Sequence, residues 1–175
     1  ADLLERLGRQ LSRLEEDRCA LSQSLSQNAQ TGLEIYSWLK QAGSSEPDLG
    51  KFKRHLDELE KIVNLELRLT TQLDRINRSL VAQHHDAPQA DAEKQMLMEK
   101  KERLLSQLED ANFLKRSIQT RSGTVMEFLR RHLDESQLDA YSLFIQTKER
   151  LSAEASSLEA KIRSCEEQIN YFKAL

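Results

Sequence analysis

Residues that interrupt helices are scarce here: among 175 residues there are 5 Gly and 2 Pro, and aromatics make up only 5%. With so little punctuation the chain is biased toward long helices. With so few rings it suits narrow seams between helices better than a thick globular core. The β-branched and aromatic runs that specify strands are missing, so an all-α fold is expected. No apolar run approaches the roughly 20 residues needed to cross a bilayer, and the opening ADLLERLGRQ carries no signal-like apolar block. Membrane insertion is therefore not expected, and a cytoplasmic setting is. Charge of one sign is also absent. A net charge of -3 is spread as mixed pairs, which gives counterion release little to draw on and argues against nucleic acid as a partner.

Catalytic and ligand-binding patterns are missing too. Gly8, Gly32, Gly43, Gly50 and Gly123 occur singly, so no glycine loop is available to cradle a phosphate. Cys19 and Cys165 lack any metal-type partner spacing and read as reduced, packing thiols. His84 and His85 are adjacent and diverge from one another, a poor start for a metal site, while His55 and His132 read as isolated surface histidines. Acidic pairs such as Glu15-Glu16 and Glu166-Glu167 read as solvated helix faces. Neither cofactor, metal nor enzymatic activity is expected.

What the sequence does have is seven-residue apolar repetition. In a first helix, about 2–42, Leu4, Leu7, Leu11, Leu14, Leu21, Leu25, Ile35 and Leu39 step by three and four, with Arg18, Asn28 and Gly32 filling core-type positions. The stretch from Ala42 to Gly50 reads as a loop, with two glycines and Pro47. A second helix, about 51–83, carries more apolar residues than one stripe holds: Leu65, Leu67 and Leu69 point in different directions at about 100° per residue. A polar connector from Gln83 to Ala90 follows, with Pro88 as its stop signal.

A third helix, about 92–133, repeats Leu97, Leu104, Leu108, Ala111, Ile118, Val125 and Leu129. Asp134 with Gln137 is a capping box that starts the fourth helix, 135–174, flanked by Leu133 and Leu138 as a hydrophobic staple. There Leu151, Ala155, Leu158, Ile162, Cys165 and Ile169 continue the seam. Helices of about 40 residues would each be roughly 60 Å long, so a single elongated coiled-coil domain over 1–175 is expected. Outer seams lacking a partner predict a homodimer, closed through Leu4, Leu7, Leu11, Leu14, Leu151, Leu158, Ile162 and Ile169. The direction in which paired chains run is not readable from the repeats. A spectrin-like spacer, holding other domains apart, is the alternative to a binding module.

Three blocks, DELEKIVNLELRLTTQLDRINRSL (57–80), LLSQLEDANFLKRSI (104–118) and LDESQLDAYSLFIQTKERL (133–151), resemble the carboxy-terminal Apx/Shroom domain of the Shroom family, in the form an invertebrate member carries. The resemblance runs from about Leu3 to the end of the chain. It implies a segmented antiparallel coiled-coil dimer, and a cytosolic scaffold that binds the coiled-coil region of Rho-associated kinase. That scaffold would recruit the kinase to the cytoskeleton at apical junctions, with actin contacted through other parts of the full protein. The kinase-binding stretch carries over to an exposed ridge, Arg68, Leu69, Thr70, Thr71, Gln72, Leu73, Asp74 and Arg75, with Lys115 and Arg116 beside it. Gln72 and Thr71 depart from the family pattern, which is basic at the first position and glycine at the second.

Overall fold

The seven-residue repeats read from the sequence are helical throughout the computed structural model, which describes residues 2–82 and 88–175. Four helices follow in order: α1 (Asp2–Gln41), α2 (Glu46–Ala82), α3 (Pro88–His132) and α4 (Glu135–Ala174). No strand occurs among the described residues. His84, His85 and Asp86 of the expected connector lie outside them.

Helix ends are set by local chemistry. Gly43 closes α1 with a positive φ of 85°, which glycine adopts without a Cβ clash. Its N–H donates to Lys40 O at 3.2 Å and that of Ser44 to Leu39 O at 3.2 Å, the two bonds of a Schellman stop. The expected loop to Gly50 is shorter than its proline suggested. Asp48 N donates to Ser45 Oγ at 3.3 Å, and α2 begins at Glu46 with Pro47 in its first turn. A proline there interrupts nothing, because the first N–H groups of a helix have no intrahelical acceptor. For the same reason Pro88, read as a stop, is the first residue of α3. The capping box forms as read: Gln137 N donates to Asp134 Oδ1 at 2.8 Å and Asp134 N to Gln137 Oε1 at 3.0 Å.

Two units make up the chain, 1–49 with 128–175, and 50–127. In the first, α1 and α4 pack antiparallel. Cys165 Sγ donates to Leu7 O at 3.4 Å, Arg18 pairs with Glu159 at 3.3 Å, and Asn28 Nδ2 donates to Phe144 O at 3.3 Å. Asn28, read at a core-type position of α1, is partly buried and finds its partner on α4, whereas Arg18, read the same way, is exposed and pairs at the surface. Leu7, Leu151 and Ile162, expected to face a second chain, are buried within this one chain. Leu4, Leu11, Leu14, Leu158 and Ile169 remain partly exposed. The physical reason is that α4 supplies a complementary seam in the same chain, at no cost in association entropy.

The second unit pairs α2 with α3, again antiparallel. Its core is a ladder of residues seven apart: Ile62, Leu69 and Ile76 from α2 against Leu104, Ala111 and Ile118 from α3. Leu59, Leu65, Leu73, Leu80, Leu97 and Leu108 pack on its edges.

Candidate partner-binding surface

Because the ladder fixes which way α2 faces, it also sorts the stretch 68–75. Leu69 points into the core and is 5% exposed, so it is not part of an exposed ridge as the sequence suggested. A contiguous stretch winds around its helix, and at about 100° per residue Arg68, Gln72 and Arg75 fall on one side of Leu69 while Thr70 and Glu66 fall on the other. Arg68, Thr70, Gln72, Asp74 and Arg75 are exposed. Leu73 packs on the edge of the core, and Thr71 donates its hydroxyl to Leu67 O at 2.8 Å. Asp74 accepts from Arg78 one turn on.

Ion pairs confirm the two flanks. Lys115 Nζ lies 3.1 Å from Glu66, which is on the Thr70 side. Arg121 lies 3.4 Å from Glu58, which precedes Gln72 by two repeats on the other side. The structure therefore separates Lys115 from Arg68, Gln72 and Arg75. Arg116 is exposed on α3.

His55 is a residue that sequence reading misplaced. It is 5% exposed, because it continues the ladder one repeat before Ile62. Its Nε2 is 3.0 Å from Ser122 Oγ, whose proton is directed to Ile118 O at 3.4 Å, so the tautomer with N–H at Nε2 satisfies both groups. Burial holds the His55 pKa below its ordinary value, partly opposed by the Glu58 carboxylate and reinforced by Arg121. The signal was present in the spacing 55, 62, 69, 76. His132, also expected on the surface, is partly buried with Nδ1 3.1 Å from Phe128 O.

Among the described residues no group of three or more His, Cys, Asp or Glu is arranged to hold a metal. No described helix is long and apolar enough to cross a membrane. What the chain offers is long helical surface with charge on two flanks. Residues 1–174 match the Apx/Shroom domain ASD2. The chain belongs to the Apx/Shroom family. It is 34% identical to Protein Shroom4 of Mus musculus over 171 residues, covering 98% of this chain and 11% of the relative. It is 33% identical to Protein Shroom2 of Homo sapiens over 169 residues, covering 96% and 10%. With Protein Shroom of Drosophila melanogaster the identity is 27% over 170 residues, covering 97% and 10%. The domain thus spans about a tenth of the length of the curated relatives it matches.

Proposed function

We propose that this domain is a cytoskeletal scaffold module that binds the coiled-coil region of Rho-associated kinase. In that role it recruits the kinase to apical actin-rich junctions, where actomyosin contraction drives apical constriction. The domain acts as a homodimer, actin is contacted by other parts of the full-length protein, and no step of the chemistry is its own. Family membership carries the reading, and the exposed stripe of Arg68, Gln72 and Arg75 supports it. These side chains present two guanidinium groups and an amide beside an ordered apolar core, the kind of surface on which a partner helix is oriented.

The test follows from the side-chain directions. Replacing Leu69 would conflate folding with binding, since removing a buried leucine costs about 2–5 kcal/mol. The triple variant Arg68→Glu, Gln72→Ala, Arg75→Glu leaves the core intact. By calorimetric titration against the purified kinase coiled coil it should lose at least about tenfold in affinity, with the helical circular dichroism unchanged. Unchanged affinity would remove this surface from the interaction, and no binding by the unmodified domain would sink the kinase reading.

A further inference from the structure

The stripe on α2 is longer than the stretch that family resemblance marks. Arg54, Lys61, Arg68 and Arg75 recur every seven residues, and all four are exposed. Seven residues are close to two helical turns, so the four cations form a column roughly 32 Å long. Beside it runs the flank marked by the pair of Glu58 with Arg121. One repeat further in the same antiparallel register, Leu65 of α2 comes opposite Leu114 of α3. Leu65 is partly buried at the edge of the core, and Leu114 is 51% exposed. On this flank of α2, between residues 54 and 79, Glu58 is the single carboxylate, and Arg121 engages it, while Asp57 borders the far side of the column one turn from Arg54 and Lys61.

We propose that this flank docks one acidic amphipathic helix, whose apolar stripe covers Leu65 and Leu114 while carboxylates at seven-residue spacing face Arg54, Lys61, Arg68 and Arg75. The identity of that helix rests on the kinase reading; its chemistry does not. A seven-residue cation spacing matches the charged edge of a coiled-coil helix, where such residues select partner and orientation. A polyanion such as nucleic acid would meet the cations but leave Leu114 in water, so the apolar centre favours a helix. Two consequences separate this arrangement from the carried-over stretch. Binding extends toward the amino-terminal end of α2 to Arg54 and Lys61, and Lys115, on the opposite flank with Glu66, takes no part.

The experiment uses the whole domain carrying Arg54→Glu with Lys61→Glu, and separately Lys115→Gln. Each is titrated against the kinase coiled coil and against a synthetic heptad-repeat helix with glutamates along both edges of a leucine stripe. Circular dichroism checks that each variant folds. The expected result is a loss of at least about tenfold for the double variant with both probes, a steeper salt dependence in the unmodified domain, and less than about twofold change for Lys115→Gln. If the double variant binds both probes as the unmodified domain does, the groove is wrong while the kinase reading stands. If the unmodified domain ignores the kinase but binds the acidic helix through Arg54 and Lys61, the groove stands and the kinase reading fails. If it binds neither, both fall.

Discussion

At the scale of single residues, position in the seam decides behaviour more than residue type does. His55 looked like a surface histidine because its sequence neighbours are charged, yet the ladder of every seventh residue places it in the core beside Ser122. The consequence is a pH dependence whose sign is fixed. Burial depresses its pKa, so the unfolded chain takes up a proton near the ordinary value of about 6.5 while the folded chain still excludes it. Below that pH the unfolded state binds more protons, and stability falls as pH falls until the depressed folded value is passed. Glu58 on α2 and Arg121 on α3 are the charges beside the imidazole, and they oppose each other. Urea unfolding between pH 7.5 and pH 5.5 should show a stability loss in the unmodified domain that His55→Leu abolishes, since leucine suits the apolar ladder and Ser122 retains Ile118 O. Equal slopes in the two proteins would assign the pH dependence elsewhere. Leu69 teaches the same lesson from the apolar side: family resemblance marks a run of eight residues, but a helix turns each to its own direction, and only the spacing shows which are available to a partner.

At the scale of elements, what was legible was what is local. The capping box at Asp134 was readable because both of its bonds join residues three apart, and the seams because their period is that of the helix. The start of α2 was not, because Pro47 was weighed as a breaker without its place in the first turn, where a missing N–H removes nothing. Glycines inside helices, unlike Gly43 at the end of α1, were not legible from sequence, since what such a glycine permits depends on what approaches it across the interface. Gly32 and Gly123 both sit inside helices, yet they differ sharply in surroundings. A Cβ on Gly32 would lie 2.9 Å from Phe144 Cζ and 3.0 Å from Cε2, whereas on Gly123 it would meet nothing within 4 Å. The Phe144 ring is 4% exposed and has little room to yield. Gly123→Ala should therefore stabilise by about 0.5–1 kcal/mol through helix propensity alone. In Gly32→Ala the same gain is set against overpacking of about 1–3 kcal/mol, for a net loss of up to about 2 kcal/mol. Urea midpoints of the two variants should move in opposite directions, and a matching rise in both would show that Phe144 is not held against Gly32.

At the scale of the whole molecule, the apolar surface that one helix pair leaves uncovered decides what must associate with it. Pairing α1 with α4 buries Leu7, Leu151 and Ile162 but leaves Leu4, Leu11, Leu14, Leu158 and Ile169 partly in water. Leu33, Leu143 and Tyr171 of the same two helices are 64%, 65% and 63% exposed. Two helices packed on each other can cover only one stripe apiece, so apolar surface beyond that stripe calls for further helices. The proposed homodimer supplies them, and a second copy brings the same surface by twofold symmetry. Association that favours the folded state makes stability depend on concentration. The thermal midpoint of the domain should therefore rise steadily between about 1 and 100 μM, while light scattering reports twice the 20.2 kDa of one chain. Substituting Leu33 and Leu143 with glutamine, which changes side chains already in solvent, should weaken the dimer without unfolding α1 or α4. A midpoint that stays constant with concentration, together with a mass of 20.2 kDa, would mean that the seam between α1 and α4 suffices and that the domain is a monomer.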